Sequence, residues 1–304
     1  MTTSITVIIL TLNEAVHIAR AIESVQSFAT SIHVVDSGST DDTTSIAAEM
    51  GATIVRHPFT NYAQQFQRAL DTLTITEDWI LRLDADEIVE PDLARRIAEK
   101  LRDVPLEVTG ITFHAKTIFM GRWIRHGGRY PLTLLRLFRR GRGRIEQRWM
   151  DEHIVVDTGR VMHFAGGFAN HELKDLSAFT DKHNRYATRE AADVLLTKYR
   201  LGPDDRSIDR GGTSRQARLK RWIKERLYNR LPFAVSSTGY FFLRYLVQGG
   251  FLDGKEGLIY HFLQGYWYRF LVGAKVTEFE RALADCTDAP GRLARLRKVT
   301  RLDL

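Results

Sequence analysis

The feature that most limits the fold of this chain is the regular alternation of strand and helix patterns over its first hundred residues. The segment ITVIILTL, at 5–12, is apolar on both strand faces, which is typical of a strand covered on both sides. Helical patterns follow it, and further strands are predicted at 32–35, 53–55 and 79–83. Repeating β-α-β units of this length predict an α/β fold with a mostly parallel sheet and helices on both faces.

Polar side chains follow three of the predicted strands, at the point where each strand ends. In such sheets ligands bind beyond the carboxyl ends of the strands, which all open on one edge. A purely structural sheet would not need this concentration of polar groups. The residues concerned are Thr11, Asn13 and Glu14 after the first strand, Asp36 after the second, and Asp84 and Asp86 after the fourth.

The pair Asp84 and Asp86 is a candidate metal site. Side chains two apart in an extended segment share one face, so both carboxylates can point at one hard cation. Mg²⁺ or Mn²⁺ held by one or two carboxylates usually completes its shell with water and substrate phosphates. The alternative is a solvated acidic turn that caps the helix beginning near Pro91.

Asp36 is a candidate nucleotide contact, since a carboxylate at a strand end can accept hydrogen bonds from ribose hydroxyls or a base N–H. Helix capping by the segment 36–41 is the alternative, and both can hold at once. The chain contains neither GxxxxGK[ST] nor GxGxxG. This absence argues against a P-loop enzyme and against a dinucleotide oxidoreductase.

Asp151 and Glu152 precede an apolar strand predicted at 154–156, and either carboxylate is a candidate general base. The alternative is simply a polar strand start. His163 and His171 follow, and either could be a further metal ligand, although a hydrogen-bonded structural histidine is the commoner case.

Seven arginines are concentrated between residues 125 and 144, interleaved with glycines. Their guanidinium groups suit phosphate oxygens, so this run predicts a site for a diphosphate or a phosphorylated acceptor. A solvated basic hairpin explains the pattern equally well. Arg129 and Arg136 are the two candidates taken from this run.

Charge and composition separate the C-terminal part of the chain from the rest. Residues 1–110 carry a net charge of −9 and residues 111–304 carry +16. Residues 215–230 contain seven Lys and Arg against one acid, and 12 of the 31 aromatic residues lie within 231–273. A helical segment lying on an anionic membrane surface and a subdomain with its own core or dimer interface both fit this pattern.

These motifs together resemble family 2 glycosyltransferases of the GT-A fold, most closely the bacterial lipopolysaccharide-core β-glucosyltransferase-like branch. The resemblance covers roughly residues 4–200 and is most specific in the first ninety. It is carried by TVIILTLNE (6–14), HVVDSGSTDDT (33–43), WILRLDADE (79–87), YPLTLLRLFRRG (130–141) and MDEH (150–153).

The resemblance implies a role for each candidate residue. Asp86 would hold the metal, with His171 as a further ligand, and Glu152 is favoured over Asp151 as the base of an inverting single displacement. Arg129 and Arg136 would bind phosphate or the acceptor. The nucleotide would be bound by Thr11, Asn13, Glu14, Asp36, Arg68 and Asp84.

The resulting prediction is a metal-dependent hexosyltransferase that moves a sugar from a nucleotide donor, UDP ahead of GDP or dTDP, to a lipid-linked or polysaccharide acceptor. Its parts are a GT-A domain at 1–200 (donor half 1–110, acceptor half 111–200), a linker at 201–214 and a helical region at 215–304. That helical region would mediate membrane association or dimerisation.

Two other function classes fit the sequence less well. A sugar-phosphate nucleotidyltransferase would normally carry a glycine-rich phosphate loop, and a nucleic-acid-binding protein would not explain acidic strand ends. The single cysteine, Cys286, and an N-terminus without a basic signal region predict a cytoplasmic location. Peripheral attachment to the inner face of the cytoplasmic membrane, and no nucleic-acid partner, complete the prediction.

Overall fold

The computed structural model describes residues 4–59, 61–146, 152–201 and 232–304. By their contacts the described residues form two compact units. The first contains 4–125, 129–146 and 152–174, and the second contains 126–128, 175–201 and 232–304. The units divide near residue 175, whereas the predicted boundary lies at 200; the predicted linker from residue 202 onward and the basic stretch 215–230 lie outside the described residues.

The first unit is built on a nine-stranded sheet in which four consecutive strands are parallel. Its strand order is β3-β2-β1-β4-β8-β6-β11-β5, with β7 paired to β6. The bounds are β1 Ile5–Thr11, β2 Ser31–Asp36, β3 Thr53–Arg56, β4 Trp79–Asp84, β5 Glu87–Val89, β6 Val108–Phe119, β7 Arg122–Trp123, β8 Leu132–Arg139 and β11 Arg160–His171.

Strands β3, β2, β1 and β4 pair in parallel, as the alternating pattern predicts. Strand β8 then runs antiparallel to both β4 and β6, while β6 and β11 pair in parallel. The predicted α/β class with a mostly parallel sheet is therefore confirmed. The short strand β5 was not predicted, because three residues directly after an acidic turn are too few to show an alternation of apolar and polar side chains.

Helices cover both faces of this sheet. All seven residues of β1 are buried, as two-sided covering requires. Val7, Ile9 and Leu81 face one layer, whereas Ile8, Leu10 and Ile80 face the other, where Phe66 lies. The helices of this unit are α1 Ile18–Glu23, α2 Thr43–Glu49, α3 Tyr62–Thr72 and α4 Pro91–Lys100.

A two-stranded antiparallel ribbon, β9 Gly143–Ile145 and β10 Ile154–Val156, lies beside the second layer. Ile145 and Ile154 pack into the same cluster as Phe66 of α3, which fixes the ribbon on that face. Glu152, two residues before β10, is thereby held near the sheet.

The second unit is helical, as the C-terminal composition predicts. Its longest described helix begins at Leu176 and is capped by the Asp175 carboxylate. No helix within the described ranges is long and apolar enough to cross a membrane. The helices are α5 Leu176–Tyr199, α6 Phe233–Phe242, α7 Gly254–Tyr260, α8 Tyr268–Leu283 and α9 Ala289–Thr300, with π-helical turns at Leu243–Val247 and His261–Trp267.

Candidate active site

The predicted strand-end residues meet at one edge of the sheet. Thr11 is the register partner of Asp36, and Leu10 is the partner of Asp84. The ends of β2, β1 and β4 therefore lie side by side, which is the arrangement that parallel pairing imposes. Asp86 follows two residues beyond Asp84 at the same edge.

Asp36 shapes the loop that follows its own strand. The buried carboxylate accepts hydrogen bonds from the backbone N–H of Gly38 at 3.0 Å and from the backbone and hydroxyl of Ser39, the latter at 2.5 Å. Gly38 has φ +101°, which glycine adopts without the steric cost a side chain would add. Both carboxylate oxygens thus hold a tight turn at the edge.

Asn13 joins the loops after β1 and β2. Its backbone has φ 54°, in the left-handed region that Asn tolerates better than most residues. Its N–H donates to the Ser39 hydroxyl, and its side-chain oxygen accepts from the backbone of Thr40, both at 2.8 Å. Nearby, the buried Thr11 hydroxyl has no hydrogen-bond partner among the described residues.

Glu14 belongs to a buried ionic cluster behind this edge. Nε2 of His17 accepts from the backbone of Leu173, so the ring donates from Nδ1 to the Glu14 carboxylate at 2.5 Å. Lys174 lies 2.8 Å from the other Glu14 oxygen and donates to the Asn13 carbonyl. The structure gives Glu14 a bracing position between β1 and the end of β11.

Arg68 lies on the exposed face of α3, one turn beyond Gln65. It lines an open groove together with Pro58, Gln64 and Asp71. Gln65 itself donates to the Val35 carbonyl and to the Ser37 hydroxyl at the end of β2. The groove therefore begins beside the loop that Asp36 organises.

The acidic turn after β4 is tied to β8 by Arg136. This guanidinium is buried and lies 2.6 Å from Glu87 and 3.6 Å from Asp84. Glu87 also accepts the backbone N–H of Asp84 at 3.0 Å. Burial raises the pKa of Glu87 to about 8, and Asp84 and Asp86 add to the effect while Arg136 opposes it.

Arg82 is a central residue that the sequence reading missed. Its Nη2 lies 2.8 Å from Glu152 and 3.5 Å from Asp84, and its guanidinium packs over the Phe66 ring. Burial opposes its charge, but Asp84 and Glu152 outweigh that cost and raise its pKa. An arginine inside an otherwise apolar strand, WILRL, is the signal that could have identified it.

Glu152 is thereby connected to the strand-end edge, because Arg82 contacts both Glu152 and Asp84. Its side chain is only 10% exposed. The adjacent ribbon is held by the Glu146 N–H, which donates to the His153 carbonyl at 2.9 Å. The competing candidate, Asp151, lies outside the described residues.

His171 ends β11 next to the acidic turn. Its backbone N–H donates to the Asp86 carbonyl at 2.8 Å, and Arg20 donates to its carbonyl and lies 3.2 Å from its Nδ1. Burial, followed by the charges of Arg20 and His17, lowers the pKa of His171. A ring nitrogen that accepts from Arg20 must exchange that contact before it can bind a metal ion.

The other predicted residues are also located. Arg129 donates to the Thr117 hydroxyl of β6 at 3.1 Å. His163 lies on the exposed side of β11, where its ring contacts His114 at a centroid distance of 4.3 Å. His163 is therefore separate from the strand-end group, whereas His171 adjoins it.

The oxygen-rich donor set at this edge fits a hard divalent cation. The Asp84 Oδ1 atom is buried and has no hydrogen-bond partner among the described residues, although Arg82 lies nearby. Over the same residues no group of three or more His, Cys, Asp or Glu side chains forms a metal cage. The arrangement suits an ion such as Mg²⁺ that takes one or two carboxylates and completes its shell with phosphate and water.

Comparison with known proteins identifies the chain's relatives. The sequence model of the family described as glycosyl transferase family 2 matches residues 6–167. An uncharacterized glycosyltransferase of Rickettsia felis is 44% identical over 93 residues, covering 31% of this chain and 32% of that protein. One of Rickettsia conorii is 41% identical over 97 residues, covering 32% and 34%. The chain thus matches about a third of the length of these curated relatives.

Solved structures similar to the chain include two synthases. Glucosyl-3-phosphoglycerate synthase from Mycobacterium tuberculosis, in complex with Mn²⁺, UDP and glucosyl-3-phosphoglycerate, has a TM-score of 0.40 and 16% identity, over 67% of this chain and 82% of that one. Mannosyl-3-phosphoglycerate synthase from Rubrobacter xylanophilus has a TM-score of 0.41 and 16% identity, over 66% and 77%.

Proposed function

The chain belongs to glycosyl transferase family 2, and on that premise we propose that it moves a sugar from a nucleotide-sugar donor to a hydroxyl of its acceptor. The nucleotide would lie along the strand-end edge, with Thr11, Asn13, Asp36 and Asp84 around it and Glu14 behind. Arg68 reaches the same region from α3. UDP is the first candidate nucleotide, ahead of GDP and dTDP.

The observation that supports this proposal best is the Arg82 bridge. It connects Glu152, at 2.8 Å, with Asp84, at 3.5 Å, so that a candidate base and a donor-side carboxylate share one cation. Transfer of a sugar needs both groups near the anomeric carbon. Arg82 also holds the Glu152 carboxylate in place at this edge, which a general base requires.

In the proposed mechanism Glu152 accepts the proton of the acceptor hydroxyl as that oxygen attacks the anomeric carbon. The bond between the sugar and the diphosphate breaks as the new bond forms, so the configuration at this carbon inverts. Glu152 is preferred to Asp151 as the base. Arg129 and Arg136 remain candidates for phosphate or acceptor contacts, although Arg136 also neutralises Glu87 at 2.6 Å.

Asp86 would hold the Mg²⁺ or Mn²⁺ ion, with Asp84 facing the ribose–diphosphate side and His171 as a further ligand once its Arg20 contact is exchanged. When bound, such an ion stabilises the negative charge that develops on the leaving diphosphate. The buried Asp84 Oδ1 atom supports an oxygen-ligand site at this edge. Around it, Arg82 and Arg136 balance the acidic turn.

For the acceptor we propose a lipid-linked glycan or a lipopolysaccharide-type polysaccharide, as in the branch that the motifs resemble. The enzyme would act in the cytoplasm, at the inner face of the cytoplasmic membrane. The basic stretch at 215–230 supports attraction to anionic lipid. Alternatively, the helical region would form the interface of a homodimer instead of attaching the protein to the membrane.

Calorimetric titration of UDP, GDP and dTDP, with and without Mn²⁺, tests the donor site. We expect one nucleotide to bind tightly in a way that needs both the metal ion and Asp86, so that Asp86→Ala loses the metal-dependent part. Asp103→Ala removes an exposed carboxylate of the same unit and serves as the matched control. Failure of all three nucleotides to bind under either condition would overturn the donor assignment.

A further inference from the structure

The region 233–262 of the second unit has an inverted distribution of polar and apolar side chains. Five polar or charged residues are less than 9% exposed. Nine large apolar residues in the same region are between 42% and 78% exposed. The buried set is Ser236, Ser237, Arg244, Asp253 and His261, and the exposed set, here called the apolar face, is Val235, Phe242, Leu243, Leu246, Val247, Phe251, Leu252, Leu258 and Phe262.

Two of the buried polar residues, Arg244 and Asp253, form hydrogen bonds to other groups of the same unit. Arg244 donates to the Gly127 carbonyl at 2.7 Å and to the Gln264 side chain at 2.9 Å. The Asp253 carboxylate accepts the backbone N–H of His126 at 2.8 Å and lies 2.7 Å from its Nδ1. Hydrogen bonding of this kind removes the cost of burying the charges, so the inverted pattern is a stable arrangement.

The three phenylalanines of the apolar face are connected through two half-buried neighbours, Phe241 and Tyr245. Phe241 contacts Phe242 and Phe262, with ring centroids 5.8 and 6.2 Å apart, and it stacks on Tyr245. Tyr245 in turn contacts Phe251 at 6.3 Å. Single exposed apolar residues are ordinary on a protein surface, whereas a connected group of this size marks an interaction surface.

A tight turn presents two members of the face together. Gly249 and Gly254, with φ +72° and +71°, bracket the turn that carries Phe251 and Leu252. Asp253, held by His126, anchors its inner side. The turn thereby exposes two large apolar side chains, while its inner side is held by the Asp253 hydrogen bond.

The chain directly before this region indicates what the face meets. Residues 215–230 carry seven Lys and Arg against one acid. The last of these cations, Arg230, precedes the first residue of α6 by three positions in the sequence. Aromatic and aliphatic side chains next to excess cationic charge are typical of segments that rest in the interface of an anionic bilayer.

We infer that the apolar face of 233–262 inserts into the interfacial layer of an anionic lipid bilayer without crossing it. The absence of a spanning helix in the described ranges agrees with attachment from one side. A second copy of the chain would be less suited, because it would bring the same excess of cations to the contact. This inference deepens the membrane attachment in the proposed function and rests on it for the choice of partner, but it does not depend on sugar transfer.

Sedimentation of the full-length chain with vesicles tests the inference. One vesicle type contains phosphatidylcholine with phosphatidylglycerol, and the other contains phosphatidylcholine alone. We expect binding to the anionic vesicles that weakens with salt, and a loss of more than about tenfold in the triple variant Leu246→Ser, Val247→Ser and Phe251→Ser.

The matched control is the triple variant Leu106→Ser, Val161→Ser and Val194→Ser, whose positions are also exposed apolar residues but lie outside the face. It should bind vesicles like the wild type. Nucleotide titration of each variant shows independently of vesicle binding whether the variant is folded. If the wild type binds vesicles but no nucleotide, the donor site is wrong and the membrane face stands, and the converse result separates the two in the other direction. Should the face triple fail to fold, Val247→Ser alone, at the most exposed of its positions, replaces it.

The inference would be overturned if the wild-type protein bound neither vesicle type. It would also be overturned if the triple variant of the apolar face bound as well as the wild type. Light scattering provides the remaining outcome. A wild-type dimer that the face triple converts to a monomer, with no vesicle binding by either, would assign the face to a second copy and overturn the bilayer as its partner.

Discussion

The strand-end edge of the first unit and the 233–262 region of the second unit both bury charged side chains, but with opposite surroundings. At the edge, the partners of Arg82 and Arg136 are carboxylates. In 233–262, Arg244 and Asp253 lie beneath exposed phenylalanine and leucine side chains. A buried charge by itself therefore identifies neither kind of site. The groups that cover it indicate whether the surface meets a polar ligand or an apolar phase.

The largest effect expected at the edge follows from removing the proposed base. Glu152→Gln should lower kcat by about 10²–10⁴-fold, because general-base assistance is lost while donor contacts remain. Steady-state kinetics with nucleotide titration checks both parts. Asp151→Asn is the matched variant, and a loss of this size in Asp151→Asn with none in Glu152→Gln would move the base to Asp151.

Removing the shared cation tests whether the edge depends on its buried charge. Arg82→Met should lower the free energy of unfolding by roughly 3–5 kcal/mol, because Glu152 and Asp84 lose their buried partner. Chemical denaturation measures this change, and the exposed Arg102→Met provides the control. Equal stability of the two variants would contradict a structural dependence on Arg82.

The metal-dependent part of donor affinity tests the acidic turn. Asp86→Ala should weaken nucleotide binding in Mn²⁺ by about 10- to 100-fold, as expected when a ligand of an ion bridging to phosphate is lost. Binding without Mn²⁺ should change much less. Equal weakening under both conditions would show that Asp86 acts on the nucleotide without a metal ion.

In the 233–262 region, replacing a buried charged residue should cost more stability than replacing an exposed apolar residue, which reverses the usual effect of mutations. Arg244→Met should destabilise the fold by about 1–3 kcal/mol, since the Gly127 carbonyl and Gln264 lose a buried donor. Leu246→Ser, two residues away and exposed, should change stability by no more than about 0.5 kcal/mol. Thermal unfolding of the two variants checks the order, and the opposite order would refute the inverted pattern.

The smallest effect concerns His33 on β2. Burial lowers its pKa below 6.5, with Glu77 opposing the shift, so the unfolded chain takes up a proton that the folded chain resists. Stability should therefore rise with pH up to about 6.5 and then level off. His33→Gln should flatten this acid-side slope in denaturation curves at several pH values, and an unchanged slope would assign it to other groups.

Local sequence patterns predicted the parallel half of the sheet well, because β1 and β4 are covered on both sides and their apolar runs are unambiguous. The meeting of Thr11, Asp36 and Asp84 followed from parallel pairing alone. Arg82 was missed, because its importance depends on Glu152, which is 70 residues away in the chain. The apolar face was missed for a related reason: a sequence shows that aromatic residues are present, but their exposure depends on which polar neighbours turn inward.

Arg82 also links the responses of the two carboxylates that it bridges. A ligand that changes the charge around Asp84 changes the electrostatic surroundings of Arg82 and, through it, those of Glu152, and such coupling between two positions is reciprocal. The proposed donor side and the proposed base would therefore respond to one another through a single buried side chain.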